Sequence, residues 1–257
     1  MLPEKTFEDR VAIITGGGSG IGEAIAGALA RLGASVALFG RTRQKLDAAC
    51  ADIEAAGGTA RPWVVDVRDR DAVQAAVQDV VEELGPVDHL VNNAAGNFRI
   101  APEEMSPNAW ESVVRIVLHG SWHCSQVVGL QMIEQRRGGS ILNIGSTMSW
   151  QGGPDTAHSA SAKAGVLTMT KSLAAAWGKY GIRANVLVPG MTEGTAGIDI
   201  LLRSPEARRE ALSRVPLGRA VTKQEVANAA CYLLSDYASY VTGTKLVLDG
   251  GRSLGML

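Results

Sequence analysis

Thr15-Gly16-Gly17-Gly18-Ser19-Gly20-Ile21-Gly22 is the stretch on which the reading of this chain turns. Val11–Thr15 before it is a short β-branched run, read as a buried parallel strand. After it a helix is expected from about Gly20 to Leu32, stopped by Gly33. A turn of this composition lets backbone approach a phosphate closely, and the helix that follows supplies free N–H groups and a positive dipole end. On its own such a triplet is a weak signal. Between a strand and a helix, in the first β-α-β unit of a chain, it makes Gly16, Ser19, Gly20, Ile21 and Gly22 the expected cradle of a dinucleotide.

The alternation continues outward from there. Ser35–Phe39 reads as the second strand, Leu46–Ala56 lies in the second helix, and Gly57-Gly58 ends it. Arg61–Val65 and Asp71–Leu84 repeat the pair, and Val87–Val91 is a fourth strand. A long helix is expected over about Pro107–Glu134, a strand over Gly139–Ile144, a helix over about Ala157–Tyr180 and a strand over Arg183–Val188. Gly194–Arg214 is polar and irregular, with helical character from Pro205 onward. Thr222–Leu234 is a helix with Thr222 as N-cap and Glu225 at the capping-box position, and Lys245–Leu248 is a seventh strand. Repeated β-α units with right-handed crossovers predict an α/β fold, a single doubly wound Rossmann-type domain over residues 1–257 with a seven-stranded parallel sheet. No linker, charge block, low-complexity stretch or internal repeat divides it.

Bulk properties exclude several classes of partner. The 25 Lys and Arg against 26 Asp and Glu are scattered, so no basic stripe offers a footprint to nucleic acid or an anionic membrane. Apolar runs are strand-sized, short of the roughly 20 residues that span a bilayer. The first residues lack a secretory pattern, and Ser253–Leu257 carries no peroxisomal or prenylation address. Cys50, Cys124 and Cys231 form neither a CxxC pair nor a disulfide framework, which fits a reducing, cytoplasmic setting. No His/Cys/Asp spacing suggests a metal site.

Further candidates fall at the carboxyl ends of the strands, where ligands bind in such sheets. About 20 residues after the glycine turn, an acidic side chain would hold a ribose 2′-hydroxyl. Here the stretch is Gly40-Arg41-Thr42-Arg43. A guanidinium at Arg41 pairs with a 2′-phosphate instead, so NADPH is the expected cofactor. Asp66-Val67 ends the third strand, where Asp66 can meet the adenine amino group. Asn93, in Asn92-Asn93-Ala94-Ala95-Gly96, can hold backbone near the nicotinamide ribose. Pro189-Gly190 stops the sixth strand, and Thr192 can touch the nicotinamide amide. The segment after it is a candidate lid over substrate.

Taken together these residues resemble the short-chain dehydrogenase/reductase family. The resemblance covers essentially the whole chain and runs through Thr15–Gly22, Asp66-Val67, Asn93–Gly96, Ser146, Lys163, Pro189-Gly190 and Asp249-Gly250-Gly251. It implies one Rossmann-type domain, NAD(P) as hydride carrier and a homotetramer. Within the family the chain looks most like the 2,4-dienoyl-CoA and trans-2-enoyl-CoA reductases. That likeness rests on Asn93–Phe98, HSASAKAG at His158–Gly165, SLAAAWGKYG at Ser172–Gly181 and DGGRSL at Asp249–Leu254. Those reductases also lack a tyrosine four residues before the lysine and favour NADPH. The mitochondrial type carries a tyrosine fifteen residues before the lysine, where this chain has Met148, and an asparagine in the long central helix, where it has His119. Peroxisomal-type relatives also lack that tyrosine.

The family's Tyr-x-x-x-Lys reads here Ser159-Ala160-Ser161-Ala162-Lys163. A serine hydroxyl is too weak an acid to replace tyrosine in protonating an alkoxide near neutral pH. Conjugate reduction of an acyl thioester needs less, because neutral donors can stabilise the enolate oxygen. Ser159 and Ser146 are the candidate donors. Lys163 is expected to bind the ribose hydroxyls and supply positive potential. His119 could relay a proton, and Asp155 and His158 are further proton-donor candidates. Phe98, Met148 and Trp150 could line an apolar pocket. The reading is an NADPH-dependent reductase of an α,β-unsaturated acyl thioester carried on CoA or acyl carrier protein. Its rivals are a carbonyl or hydroxyl oxidoreductase using His119 or Asp155, and a catalytically silent, oligomeric cofactor-binding protein.

Overall fold

A computed structural model describes residues 2–195 and 204–255. Seven strands form one parallel sheet: β1 (Val11–Thr15), β2 (Ser35–Gly40), β3 (Thr59–Val64), β4 (Val87–Asn92), β5 (Gly139–Ile144), β6 (Ile182–Pro189) and β7 (Lys245–Leu248). Their order across the sheet is β3-β2-β1-β4-β5-β6-β7. The chain therefore winds one way from β1 to β3, returns to the middle and winds the other way from β4 to β7. The direction reverses between β1 and β4, and the loops leaving these two strands diverge there to open a crevice.

The helices are α1 (Gly20–Arg31), α2 (Arg43–Ala55), α3 (Arg70–Leu84), α4 (Pro107–Val114), α5 (Gly120–Gln135), α6 (Met148–Gln151), α7 (Ala157–Trp177), α8 (Pro205–Ser213) and α9 (Lys223–Leu234). Strand residues are apolar on both sides, so each sheet face needs a cover. Ile14, Leu38 and Leu142 pack under α1, α2 and α9 through Ile25, Leu29, Leu46 and Leu233. Ile13, Phe39 and Leu90 pack under α3, α5 and α7 through Val73, Val80, Val128 and Val166. Full burial of one such side chain contributes about 1.5–3 kcal/mol, so these two layers carry most of the stability.

The second helix, in which Leu46 was expected, begins at Arg43, because Thr42 already has the extended backbone of an N-cap. Two expectations needed correction in detail. The long central helix is not uniform: a π turn at Arg115–His119 joins α4 to α5. A π turn adds a residue to the helical circuit and changes the direction in which later side chains point. The lysine helix ends at Trp177 and tightens into a 3₁₀ turn over Gly178–Tyr180. Among the described residues no helix is long and apolar enough to cross a membrane. The proposed lid after Thr195 lies largely outside the described residues.

Helix starts divide into two groups. Asp69 caps α3, Ser106 caps α4, Ser204 caps α8, and Thr222 with Glu225 forms a reciprocal capping box on α9. The N-cap side chains of α1 (Ser19), α2 (Thr42) and α7 (Thr156) make no such bond. The starts of α1 and α2 lie on the wall of the crevice.

Candidate active site

The crevice holds a cavity of about 500 Å³. Its wall brings together Gly16, Ser19, Gly20 and Ile21 with Arg41, Asp66, Val67 and Asn93, from the ends of β1, β2, β3 and β4. Gly16 and Gly20 have φ of 65° and 63°, a left-handed conformation in which glycine alone is unstrained. Gly22 lies just beneath, where a Cβ would collide with the Gly16 carbonyl and with Asn93 Nδ2. The glycine turn is thus folded tightly enough to admit no side chain, and the uncapped N–H groups of α1 face the cavity. This is the geometry a pyrophosphate requires. A dinucleotide fits these residues.

Asn93 explains why the turn keeps its shape. Its Nδ2 donates to the carbonyl oxygens of Thr15 (3.0 Å) and Gly16 (3.2 Å). Thr15 Oγ1 in return accepts from the backbone N–H of Asn93 (2.9 Å) and Ala94 (3.0 Å). The loops after β1 and β4 are therefore laced across the point where the sheet reverses. Thr15 is a site residue that sequence reasoning treated only as a strand end.

On the adenosine side, Arg41 and Lys45 are exposed at the cavity rim. Arg43 between them is engaged by Asp47 at 2.8 Å. The Asp66 carboxylate is gripped by Arg68, whose Nε donates at 2.9 and 3.0 Å and whose backbone N–H donates at 3.0 Å. That guanidinium, with a further contribution from Arg41, holds the Asp66 carboxyl below the usual carboxylate range. Arg68 was missed in the sequence, although an acid and a base two apart at a strand end was the available signal.

On the reaction side, α7 carries Lys163 with its ammonium on the Ile144 carbonyl oxygen at 2.5 Å. The side chain is partly buried, and loss of water around the charge pulls its pKa down to about 8. Ser159, one turn earlier on the same face, is 8% exposed. Its hydroxyl makes no hydrogen bond to a described residue. Ser146 follows β5, and its Oγ accepts from the Met148 N–H at 3.3 Å. Pro189 ends β6. Thr192 is buried, and its hydroxyl donates to the Gly190 carbonyl at 3.2 Å, so this residue shapes the turn with its own side chain.

A buried polar chain, unforeseen from the sequence, fixes α7 against the sheet. Asn92 Nδ2 donates to Ser125 Oγ at 2.8 Å and to Asn143 Oδ1 at 2.9 Å. Asn143 Nδ2 donates to Thr170 Oγ1 at 2.9 Å. The chain links β4, α5, β5 and α7. In a sealed interior such bonds fix register because each unpaired group would be costly.

The His119 ring is exposed and stands 6.5 Å from that of His123, which meets the Val67 carbonyl at 3.0 Å. The neighbouring Leu118 is the side chain that faces α7, within 3.0 Å of where a Gly165 Cβ would sit. Among the described residues no hydrogen bond joins His119 to Lys163 or Ser159. The His158 ring is fully buried. Asp155 uses its backbone carbonyl to accept from the Ile100 N–H at 3.0 Å. Met148 Sδ lies 3.1 Å from Thr156 Oγ1, Trp150 stacks under the Lys245 ammonium at 3.6 Å, and Phe98 packs on His158. Among the described residues no group of His, Cys, Asp and Glu could hold a metal ion.

Comparison with known proteins agrees with this geometry. A family model described as enoyl-(acyl carrier protein) reductase matches residues 16–253. A Bacillus subtilis (strain 168) protein named "Probable 2,4-dienoyl-CoA reductase", (2E)-enoyl-CoA-producing, is 42% identical over 249 residues, covering 96% of this chain and 98% of the relative. The crystal structure of a short chain dehydrogenase from Bacillus anthracis is 43% identical, with a TM-score of 0.89 over 97% of this chain and 98% of that one. A gluconate 5-dehydrogenase from Burkholderia cenocepacia J2315, solved with NADP and tartrate, is 32% identical with a TM-score of 0.91 over 97% of both chains.

Proposed function

The chain belongs to the short-chain dehydrogenase/reductase family and is an oxidoreductase, and from that premise we propose that it is an NADPH-dependent reductase of an α,β-unsaturated acyl thioester, an enoyl-CoA or 2,4-dienoyl-CoA ester or its acyl carrier protein counterpart. One observation carries the reading: the partly buried Lys163 is held in place, yet one turn before it stands a serine hydroxyl and no phenol. The name of the Bacillus subtilis relative points to the same substrate class.

The nicotinamide supplies a hydride to the β-carbon of an enoyl ester, or the δ-carbon of a dienoyl ester. Lys163 binds the ribose hydroxyls and places positive potential beside the reacting face. Ser159, with its hydroxyl free, donates a hydrogen bond to the thioester oxygen as charge collects there, and Ser146 is the second donor. Fixed neutral donors of this kind are worth about 2.7–4 kcal/mol each in an excluded site. The carbon takes its proton from water or a weak acid.

Arg41 favours NADPH over NADH. It stands unpaired at the rim with Lys45, the free Thr42 hydroxyl and the uncapped start of α2. These groups suit a 2′-phosphate and offer no carboxylate to a 2′-hydroxyl. Asp66 and Val67 hold the adenosine side, Asn93 holds backbone near the nicotinamide ribose, and Pro189 and Thr192 shape the nicotinamide end. Three buried free thiols suit a reducing compartment such as the cytoplasm. A homotetramer is the assembly expected of the family.

The test follows NADPH absorbance with enoyl-CoA, 2,4-dienoyl-CoA and 3-ketoacyl-CoA esters. Turnover of the first or second class with silence toward ketones is expected. Turnover confined to ketones would overturn the reading.

A further inference from the structure

We infer that His158 is a positioning residue for this site: its imidazole holds the first turn of the lysine helix through the Ser159 N–H and holds Phe98 through its ring face or edge. The inference rests on the proposed roles of Ser159 and Lys163.

Four observations meet at this residue. First, α7 lacks a side-chain cap: Thr156, its N-cap, turns its hydroxyl to Met148 Sδ instead. Second, His158 Nδ1 accepts the Ser159 N–H at 2.8 Å. One of the orphan donors that begin every helix is thereby satisfied from within the first turn. Third, the ring is 0% exposed and meets Phe98 edge to face, centroids 4.7 Å apart at 88°. Phe98 is on the loop after β4, and the adjacent Ile100 N–H donates to the Asp155 carbonyl. The loop after β4 and the loop before α7 are thus fastened to each other at two points, and His158 is one of them. Fourth, because Nδ1 accepts, the neutral ring carries its proton on Nε2, and Nε2 is buried with no partner.

The fourth observation turns packing into function. A buried donor without an acceptor is unfavourable, so an apolar side chain would fill this place at lower cost. The imidazole is explained by Nδ1, which needs a ring nitrogen lone pair at that spot. Loss of this bond would free the turn that sets where the Ser159 hydroxyl points. Loss of the ring would free Phe98 and with it the loop after β4, which the proposed substrate must pass. The two duties should therefore separate in kinetics, one acting on kcat and the other on KM.

Two substitutions separate them. His158→Asn keeps an acceptor, Oδ1, where Nδ1 stood and removes the ring. His158→Phe keeps a ring against Phe98 and removes the acceptor. Both are compared with wild type by steady-state kinetics on the best thioester and by hydrogen exchange of the Ser159 amide, which reads the capping bond whether or not the substrate has been identified correctly. His158→Phe should lower kcat about 10-fold with KM nearly unchanged and speed Ser159 exchange about 10-fold or more. His158→Asn should keep kcat within about 3-fold, raise KM and leave Ser159 exchange near wild type. If His158→Phe does not fold, His158→Leu carries the same expectation for exchange and kcat, relative to His158→Asn. Equal losses in both variants, or wild-type exchange without the acceptor, would overturn the inference. Altered exchange in a protein that reduces no thioester would leave the capping role standing and overturn the substrate reading instead.

Discussion

The two halves of the crevice are built by different means. On the nucleotide side the work is done by backbone: left-handed glycines, uncapped helix starts, and Asn93 and Thr15 exchanging bonds with main-chain groups. On the reaction side it is done by a few side chains on α7 and after β5, held from behind by the chain from Asn92 to Thr170. A backbone site tolerates change poorly but dictates little beyond the presence of a phosphate. A side-chain site sits on the same scaffold while one substitution alters which reaction is favoured. The second half should therefore be far more sensitive to conservative exchange in rate, and the first in affinity.

The largest effect is expected at Lys163. Lys163→Met keeps the stem and removes the charge, and kcat/KM should fall about 10³-fold, with most of the loss in kcat. A loss expressed mainly as weaker NADPH binding would place Lys163 with the nucleotide half and blur the contrast. Arg41→Asp is the matching test on the other side. Replacing a guanidinium by a carboxylate beside a 2′-phosphate should lower the NADPH:NADH affinity ratio by about 10²-fold and leave kcat at saturating cofactor nearly unchanged. Equal affinities for the two cofactors in wild type would remove Arg41 from the site.

The same division decides what could be read in the sequence. The seven-stranded parallel sheet and the glycine turn were legible because they rest on local patterns: β-branched runs, helix stops at glycine, and a turn in one place. Arg41 was legible as chemistry at a strand end. Lys163 and Ser159 were legible as a spacing on one helix face. The π turn at Arg115–His119 was not legible, because neither composition nor periodicity marks such a turn. The Asn92–Asn143–Thr170 chain joins distant elements, and a single sequence carries no direct sign of it, whereas the Arg68 grip on Asp66 is local and its acid–base spacing was there to be read. His158 looked like a loop histidine; its burial depends on Phe98, sixty residues earlier in the chain.

Ser159→Ala asks a finer question. If the hydroxyl stabilises the enolate oxygen, kcat should fall about 10²-fold while NADPH affinity and thermal stability stay close to wild type. If the serine merely fills space, the smaller alanine should be silent in every assay. Product analysis adds a second readout, since a weaker donor leaves cofactor binding intact and slows only the chemical step.

The smallest effect is in stability, and it has a definite sign. Burial pulls the Lys163 pKa to about 8 from the ordinary 10.5. Below pH 8 both folded and unfolded chains carry the proton, and the fold must hold a charge it solvates poorly. Between pH 8 and 10.5 the unfolded chain binds more proton than the folded one, so this group makes stability rise with pH across that window. The buried thiols act in the opposite direction. Burial pushes Cys50 up to about 11 and Cys124 and Cys231 up to about 12 from 9.0, so the unfolded chain gives up their protons first and stability falls as pH climbs past 9.0. A single melting curve would mix the two. The difference in unfolding free energy between wild type and Lys163→Met cancels the thiols, and it should move in favour of wild type by roughly 2–3 kcal/mol as pH rises from 8 to 10.5. Bound NADPH should move that rise to higher pH if its ribose hydroxyls hold the ammonium form. Parallel curves for the two proteins would mean that the Lys163 ammonium keeps its water, and the electrostatic contrast between the two halves of the crevice would go with it.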